Sequence, residues 1–352
     1  MSQQSTMHFS SAVASASQTH QHTSAQLTPS VLFGALVEST KPGITRMVTI
    51  TAGVGFLIAV LSVLLGSSDP SGRWSVVGSM VLPLVGCLLG TALAASGANA
   101  LNQWLERDRD ALMERTRTRP IPSGRASASQ VLMLGLLLCN AGCGVLAATC
   151  GVVPAVIAAV TILTYLSVYT LLKPVTPWST LIGAFPGALP PMIGFSAGLI
   201  AVHTELGTTP IPMWATLLNP LGLSLFAVLF VWQMPHFHAI GVMYAEDYAR
   251  GGHRILAVVD PTGKLAARSM VFWSLALIGA SVVPTILRPD LASFAYLPLA
   301  VVAGAMFVRA CLTFAKTLDV KDARRAFLVS VMYLPVLLLV LTIEAAARFL
   351  LS

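Results

Sequence analysis

Nine apolar runs, each long enough to cross a lipid bilayer as a helix, dominate this chain of 352 residues. A helix needs roughly 20 apolar residues to span the hydrocarbon core. Charged residues make up only 10% of the chain, whereas a soluble domain carries about a quarter. The sequence therefore predicts an all-α polytopic membrane protein, with spans at roughly 44–66, 76–103, 128–149, 151–171, 178–200, 213–236, 269–288, 291–315 and 326–350.

Basic residues are distributed unevenly between the two sides that this topology defines. With the N-terminus inside, 18 of the 21 Lys and Arg residues fall in inner segments, and only Arg73, Arg288 and Arg348 fall in outer ones. Because Lys and Arg accumulate on the cytoplasmic side of membrane proteins, this bias predicts a cytoplasmic N-terminus and supports the number of spans. The net charge of +7 is assigned to contacts with anionic lipid headgroups, not to nucleic acid.

The first 30 residues are rich in Ser, Thr, Gln and His and contain no Lys, Arg, Asp or Glu. They lack the charged start and apolar core of a signal peptide, and also the arginines of a mitochondrial transit peptide. We expect residues 1–35 to be a disordered cytoplasmic tail and residues 36–352 to form one intramembrane domain. A bacterial inner membrane is favoured over an organelle.

A cluster of oxygen-bearing side chains follows the second predicted span. Asn102, Glu106 and Asp110 are spaced four residues apart, so they lie on one face of a helix, and Asp108 adds a carboxylate beside that face. A polar amide such as Asn102 is unfavourable at the membrane rim unless it has a partner. Since magnesium takes hard oxygen ligands and bridges carboxylates to phosphates, the pattern indicates a site for magnesium and a diphosphate.

A second acidic cluster, Glu246 and Asp247, follows the sixth predicted span on the same inner side. The two loops, near residues 102–125 and 236–268, would face each other if the chain folds as two similar halves around a shared cavity. Together they can hold two magnesium ions on one diphosphate, with arginines neutralising the remaining charge. The alternative is a pair of solvated loops in which Arg and Asp side chains satisfy one another.

Several segments carry a resemblance to a known family. The first loop has the pattern Asn-x-x-x-Glu-x-Asp-x-Asp, followed by Arg115-Thr-Arg-Thr-Arg-Pro-Ile-Pro-Ser-Gly-Arg125. Around the sixth span the chain reads Trp232-Gln-Met-Pro-His-Phe-His-Ala239 and then Glu246-Asp-Tyr248. Over about residues 36–340 the chain resembles the UbiA superfamily of intramembrane prenyltransferases. The Arg-Thr-Arg tail and the Pro-His-Phe-His segment favour the protoheme IX farnesyltransferase branch.

The resemblance implies a fold and a reaction. The fold is a nine-helix UbiA-type bundle around a central cavity whose acidic mouth faces the cytoplasm. The reaction transfers a farnesyl group from farnesyl diphosphate to a vinyl group of protoheme IX (heme B), which gives heme O and diphosphate, with Mg2+ as the cofactor. The lipid bilayer is a further partner, and a downstream heme-modifying oxygenase or oxidase assembly is a candidate recipient of the product.

Residue roles carried over from the resemblance follow the motifs position by position. Ligands for magnesium and diphosphate match six positions: Asn102, Glu106, Asp108, Asp110, Glu246 and Asp247. The catalytic group comprises four of them: Asn102, Glu106, Asp110 and Asp247. Basic positions near the diphosphate match Arg115, Arg119 and Lys173. The chain departs from the family pattern at Pro174, where another basic residue is usual, and in the run that begins at His253.

Two histidines and two aromatic residues have alternative interpretations. His236 and His238 are candidates for ligating the heme iron or gripping a propionate; the alternative is that they are helix-end histidines bonded to backbone or lipid headgroups. Tyr169 and Trp104 are near the predicted mouth and are interpreted as interfacial anchors outside the site.

Two other functions compete with protoheme farnesylation. A prenyltransferase acting on an aromatic quinone precursor would use the same magnesium site with a different acceptor pocket. A transporter would place its polar groups near the bilayer midplane, whereas the carboxylates of this chain fall at the inner rim. An enzyme consumes its diphosphate substrate in detergent, while a transporter needs sealed vesicles.

Overall fold

A computed structural model describes residues 28–67, 73–208 and 210–352. Within these ranges the chain contains a short apolar helix near its start, α1 (Pro29–Ser39), and nine helices long and apolar enough to span a membrane. The nine are α2 (Pro42–Leu65), α3 (Trp74–Asp110), α4 (Ala128–Cys150), α5 (Val152–Leu172), α6 (Ser179–Glu205), α7 (Pro220–Met243), α8 (Lys264–Leu287), α9 (Tyr296–Thr317) and α10 (Val320–Leu351). The predicted fold class and number of spans are confirmed.

Neighbouring helices along the chain pack against each other, and the ends of the series meet. Helix α3 packs along α4, α7 along α8, α8 along α9 and α9 along α10, while α10 returns to contact α2. Helix α6 runs against α2 as well as against its neighbours α5 and α7, and it is the most enclosed of the nine spans. The result is a closed bundle with α2 and α6 in contact across it.

Close contact between α2 and α6 depends on residues without side chains. A Cβ atom at Gly194 would overlap the carbonyl oxygen of Ala52, and one at Gly55 would overlap the carbonyl oxygen of Pro191. Small residues at such positions let two membrane helices approach backbone to backbone, which replaces the hydrophobic driving force that lipid does not supply.

The sixth span lies seven residues later in the chain than the predicted range 213–236. Residues Met213–Leu217 form a separate short helix, and α7 starts afresh at Pro220. The side chain of Asn219 caps this start by accepting hydrogen bonds from the backbone N–H groups of Leu221 and Gly222. As a consequence, the histidines at 236 and 238 lie inside α7 and not at its end.

Part of the predicted N-terminal tail is helical, which corrects the boundary at residue 35. Helix α1 begins at Pro29, and its Ala35 packs in an apolar cluster with Ala100 and Val131. Glu38 at the end of α1 accepts hydrogen bonds from the Arg125 guanidinium at 2.6 and 3.0 Å. These contacts hold α1 against the α3–α4 end of the bundle. The predicted disorder of residues 1–27 concerns residues outside the described ranges.

A buried carboxylate fixes the opposite end of the bundle. Glu344 of α10 accepts four backbone hydrogen bonds, at 2.6–2.9 Å, from the residues that start α9: Ser293, Phe294, Ala295 and Tyr296. The first N–H groups of a helix have no partner within it, and a negative charge there also interacts favourably with the helix dipole. Glu344 therefore ties α10 to the start of α9.

We expect Glu344→Gln to lower the free energy of unfolding by about 2 kcal/mol, because one acceptor oxygen loses its charge and the other is replaced by an amide donor. The measurement is thermal unfolding of the purified protein in detergent. The matched control is Glu205→Gln, since Glu205 is an exposed glutamate at the end of α6. Equal midpoints for the two variants would remove Glu344 from this role.

Candidate functional site

Three side chains of α3 lie on one buried face of its last turns. Asn102, Glu106 and Asp110 are only 1%, 7% and 1% exposed. The helix continues to Asp110, so the spacing of four residues brings the three onto one face as predicted. Asp108 is on the opposite face, where its side chain is 86% exposed and its nearest ionic contact is Arg107 at 3.7 Å. The structure does not bring Asp108 to the cluster.

Each of the three buried oxygen groups has a cationic partner from a different segment. The ammonium group of Lys41, just before α2, donates to Asn102 Oδ1 at 2.7 Å. That of Lys173, just after α5, donates to Glu106 Oε1 at 2.8 Å. A guanidinium N–H group of Arg119 donates to Asp110 Oδ2 at 2.6 Å. The end of α3 is therefore surrounded by cations from three places: the residue before α2, the loop after α3 and the residue after α5. We call this group the cluster; its members are Lys41, Asn102, Glu106, Asp110, Arg119 and Lys173.

The cluster carries three cations and two carboxylates, so it has a net positive charge and attracts an anion. Burial, together with the nearby charges of Arg119 and Lys173, lowers the pKa of Lys41 to about 7. Burial also acts to lower the pKa of Lys173, but the nearby Tyr169 and Glu106 outweigh burial and raise the pKa of Lys173 above its usual value. A bound phosphate group would keep both lysines charged.

One carboxylate oxygen of the cluster has no partner. Asp110 Oδ1 is fully buried and receives no hydrogen bond within the described residues. A buried, unsatisfied carboxylate oxygen is costly, and it is the kind of atom that a divalent cation binds. Across the described ranges no group of three His, Cys, Asp or Glu side chains forms a complete metal site. The amide and the two carboxylates of the cluster suit magnesium, which keeps waters and substrate phosphates among its ligands and needs only one or two carboxylates from the protein.

Helix α5 contributes aromatic rings to this cluster through an irregular turn. Residues Thr164–Tyr169 form a π-helical segment. Such segments are rare in proteins overall, and many of those that occur lie at functional sites. Tyr165 and Tyr169 stack with ring centroids 5.7 Å apart, and the Lys173 ammonium is 4.5 Å from the Tyr169 ring centroid. Tyr169 therefore contacts the cluster through Lys173 and does not lie apart from it, as its interpretation as an interfacial anchor would require. Trp104 lies under the Arg107 guanidinium, apart from these residues.

The second acidic loop binds to the first one. Asp247 accepts the backbone N–H groups of Glu114 at 2.8 Å and Arg115 at 3.1 Å, and also a guanidinium N–H group of Arg250 at 2.7 Å. Burial opposes ionisation, but these hydrogen bonds outweigh it and hold the pKa of Asp247 below its usual value. Since four residues span roughly 14 Å at most, the Asp247 contact lies close to Asp110 along the chain. The structure thus joins the two predicted loops through Asp247.

Other contacts reinforce this junction. Arg109 donates to the carbonyl oxygen of Gly251 at 3.2 Å, and the backbone N–H of Arg254 donates to that of Lys173 at 2.8 Å. The Arg115 guanidinium lies over the rings of Tyr244 and Tyr248, 5.2 and 5.4 Å from their centroids. Three segments of the chain are therefore locked together: residues 109–119, residue 173 and residues 244–254.

Glu246 and Arg115 are exposed on a cavity beside this junction. The cavity has a volume of about 680 Å³ and is bordered by both loops, by the short helix Leu256–Val259 and by the turn between α9 and α10. Asp247 reaches its wall, while its carboxylate oxygens are engaged by the first loop. Of the two carboxylates predicted in the second motif, Glu246 is the one open to solvent.

His253 makes the junction sensitive to acid. It is 3% exposed, its ring packs edge-on against Tyr248, and its Nδ1 has no hydrogen-bond partner among the described residues. Burial lowers the pKa of His253 to about 4. An unfolded or opened loop binds a proton near pH 6.5, whereas the closed loop does not, so stability is lost as the pH falls from about 6.5 towards 4.

We expect hydrogen exchange of backbone amides in residues 244–254 to accelerate as the pH is lowered from 7 to 5, after correction for the intrinsic rate. The closed form weakens by up to about 1.4 kcal/mol per pH unit in this range. His253→Gln removes the titrating group and should remove the acceleration. An equal acceleration in this variant would contradict a role for His253.

The two histidines predicted to bind protoheme, His236 and His238, are on α7. The ring of His236 is half-buried, and its Nδ1 is 2.7 Å from the hydroxyl oxygen of Ser330 on α10. His238 is buried. Both lie within the helix, so the alternative of helix-end histidines bonded to lipid headgroups does not describe them.

Several residues in or beside the cluster and the junction were not among the predicted site residues: Lys41, Tyr165, Tyr169, Thr170 and His253. Thr170 accepts a hydrogen bond from Asn102 Nδ2 at 3.2 Å, which orients the amide so that its oxygen faces Lys41. Lys41 has a left-handed backbone (φ 48°), which is rare for a residue other than glycine. A lysine between an apolar helix and Pro42 was the available signal for this position. The π-helical turn has no sequence signature of its own.

Comparison with solved structures defines the class of protein. The bundle superposes on a digeranylgeranylglyceryl phosphate synthase with a TM-score of 0.65 and 15% sequence identity, covering 89% of this chain and 98% of the other. It also matches a UbiA homolog from Aeropyrum pernix K1 with a TM-score of 0.57 and 13% identity, covering 86% and 97% of the two chains. At these identities the likeness concerns the fold, which is that of a multi-pass helical membrane protein of UbiA type.

Sequence comparison gives the family. Residues 56–334 match the model of the UbiA prenyltransferase family, and the chain belongs to that family. It is 38% identical over 303 residues to a protoheme IX farnesyltransferase from Solibacter usitatus, covering 86% of this chain and 95% of the relative. A protein of the same name from Salinibacter ruber is 36% identical over 304 residues, covering 86% and 96%.

Proposed function

We propose that this protein transfers a farnesyl group from farnesyl diphosphate to a vinyl group of protoheme IX, giving heme O and diphosphate. The observation that carries the proposal is the buried cluster at the end of α3, where Asp110 keeps an unpartnered oxygen among three cations. That combination fits a magnesium-bound diphosphate ester. The names of the relatives with up to 38% identity support protoheme as the acceptor.

We assign the magnesium ligands to one face of α3: Asn102, Glu106 and Asp110. Glu106 accepts from Lys173 through one oxygen, and a carboxylate has lone pairs to spare for an ion. When bound, magnesium would drain charge from the diphosphate leaving group and so weaken its bond to the farnesyl carbon. The donor set of amide and carboxylate oxygens is the one that this hard cation prefers.

The cations of the cluster would bind the diphosphate itself. Lys41, Lys173 and Arg119 now contact the oxygens of α3, and a bound phosphate would share their N–H donors. Arg115, exposed at the junction, is within the same loop and would contact the diphosphate from the cavity side. These donors stabilise the charge that develops as the carbon–oxygen bond breaks.

In this proposal the two carboxylates of the second acidic motif have different roles. Asp247 holds the backbone of residues 114–115, and thereby positions Arg115 and Arg119. Glu246, which is exposed on the cavity, is the carboxylate available to a second magnesium ion there.

The proposed reaction consumes farnesyl diphosphate, protoheme IX and one water molecule. The bond between the farnesyl carbon and the diphosphate oxygen breaks, and its electron pair leaves with the diphosphate. The vinyl π electrons of protoheme form the new carbon–carbon bond. Water then adds to the porphyrin-conjugated cation and releases a proton, which leaves a hydroxyl group. The apolar helices would exclude bulk water from the first, allylic cation.

The same proposal gives the protein a place in the cell. The N-terminus would face the cytoplasm in a bacterial inner (plasma) membrane, in line with the bias of basic residues. The farnesyl chain of heme O favours a lipid environment, so the product would pass through the bilayer or directly to a downstream heme-modifying oxygenase or oxidase assembly.

The test is an assay of purified protein in detergent with farnesyl diphosphate and magnesium. Protoheme IX and an aromatic quinone precursor are offered separately as acceptors, and products are identified by mass. We expect heme O with protoheme, no prenylated aromatic product, and no heme O in the presence of EDTA. A prenylated aromatic product without heme O would replace the proposed acceptor.

A further inference from the structure

The half-buried ring of His236 is held on three sides. Trp232, one turn earlier in α7, stacks on it with centroids 4.7 Å apart and planes 22° apart. The ring of Phe327 on α10 lies against it with centroids 5.1 Å apart. The Nδ1 atom of His236 is 2.7 Å from Ser330 Oγ. The ring is therefore fixed in position and in rotation, and the other ring nitrogen, Nε2, has no hydrogen bond from any residue within the described ranges.

Ser330 determines which nitrogen carries the proton. Its hydroxyl donates to the carbonyl oxygen of Phe327 at 2.5 Å, so the hydroxyl oxygen is left to accept. Nδ1 of His236 must then be the donor, and a neutral imidazole that carries its proton on Nδ1 presents a lone pair on Nε2. The carbonyl oxygen of Ser330 also accepts the indole N–H of Trp232 at 2.8 Å. One residue of α10 thus orients both aromatic rings of α7.

This arrangement is the one that proteins use to prepare a histidine for a metal. Histidines that bind metals donate their second ring N–H to an oxygen, which fixes the tautomer and the ring plane. A histidine that only fills space needs neither feature: neither a fixed hydrogen-bond partner on one ring nitrogen nor a free lone pair on the other. The ring is seven residues before the end of α7, roughly 10 Å from it along the helix.

We propose that His236 Nε2 ligates the iron of the protoheme substrate and that Ser330 is the positioning residue that holds the ring in the ligating tautomer. This inference rests on protoheme being the farnesyl acceptor. Iron ligation at a fixed ring would hold the porphyrin in a defined orientation, which is what a transfer to one vinyl group requires. His238, two residues along the helix, projects from a different face and lacks a partner of this kind.

The test is a titration of the purified protein with ferric protoheme IX and, in parallel, with iron-free protoporphyrin IX. Soret absorption reports the ligand of the iron, and quenching of tryptophan fluorescence reports binding of either porphyrin. The variants are His236→Ala, His238→Ala, Ser330→Ala and Ser330→Thr. Added imidazole tests whether a small ligand restores the spectrum of His236→Ala, which a misfolded variant would not allow.

We expect His236→Ala to lose the histidine-ligated spectrum and to recover it with imidazole, while protoporphyrin binding changes less than about threefold. Ser330→Ala should weaken protoheme binding by about 10-fold or more, as is usual for partners of metal-binding histidines, and Ser330→Thr should restore it. An unchanged spectrum in His236→Ala, or its loss in His238→Ala instead, would overturn the assignment but leave the acceptor standing. Equal losses for both porphyrins in His236→Ala would indicate a grip on the propionates. Absence of saturable protoheme binding by the unaltered protein would overturn the acceptor as well.

Discussion

Replacing Asp110 with asparagine reduces turnover of farnesyl diphosphate by about 10³-fold, if its unpartnered oxygen holds magnesium against the diphosphate. The amide preserves the shape of the side chain but removes the negative charge and turns one oxygen into a donor. Arg119, which pairs with the carboxylate at 2.6 Å, would then face an uncharged oxygen or a second donor. The measurement is diphosphate release by purified protein at saturating magnesium.

The matched control is Asp108→Asn, two residues away on the exposed face of the same helix turn. It changes the same charge in the same segment, so a general electrostatic effect of the loop would appear in both variants. We expect its turnover to stay within about threefold of the unaltered protein, since isolated surface charges contribute little. Comparable losses in the two variants, or normal turnover in Asp110→Asn, would remove Asp110 from the proposed ligands.

Asp247→Ala disconnects the two inner loops, and we expect the second largest effect from it. The backbone N–H groups of residues 114 and 115 lose their acceptors, so the segment that carries Arg115 and Arg119 loses its fixed position. Turnover should fall by about 100-fold, because small displacements of positioning groups are expensive in rate. Hydrogen exchange at the amides of Glu114 and Arg115 should accelerate in the same variant, which separates a positioning role from direct ligation.

Asp260→Ala is the control for this effect. Asp260 is a half-buried aspartate that also accepts backbone N–H groups, those of Thr262 and Leu265, and it borders the same cavity. The substitution therefore removes a comparable set of hydrogen bonds from a place that does not hold the first loop. We expect near-normal turnover and unchanged exchange at residues 114–115. Fast exchange there in both variants would mean that the cavity wall in general, not Asp247, fixes the loop.

The number of spans and the face of α3 were predictable because both depend on local periodicity. Apolar length alone predicts a membrane helix, and a spacing of four residues brings Asn102, Glu106 and Asp110 together wherever the helix continues. The exposed position of Asp108 follows from the same periodicity. The displaced sixth span has a local cause too, since the Asn219-Pro220 pair marks a helix start.

Long-range pairings were beyond local patterns. No spacing rule relates Lys41 to Asn102 or Lys173 to Glu106, which are more than 60 residues apart in sequence. Asp247 was predicted as a metal ligand, whereas the structure shows its oxygens on the backbone of the first loop, a contact that depends on how the loop closes. The π-helical turn that turns Tyr165 and Tyr169 towards the cluster depends on packing between helices, so composition alone could not indicate it.

The most direct test is equilibrium binding of S-farnesyl thiodiphosphate, which has the charge of the substrate but ionises far more slowly. Binding to the unaltered protein and to Asp110→Asn is measured in magnesium and in EDTA. We expect tight binding to the unaltered protein in magnesium alone, weakened about 100-fold or more by EDTA or by the substitution. Binding that is equally tight in EDTA and in Asp110→Asn would mean that the buried face of α3 does not hold a magnesium-bound diphosphate.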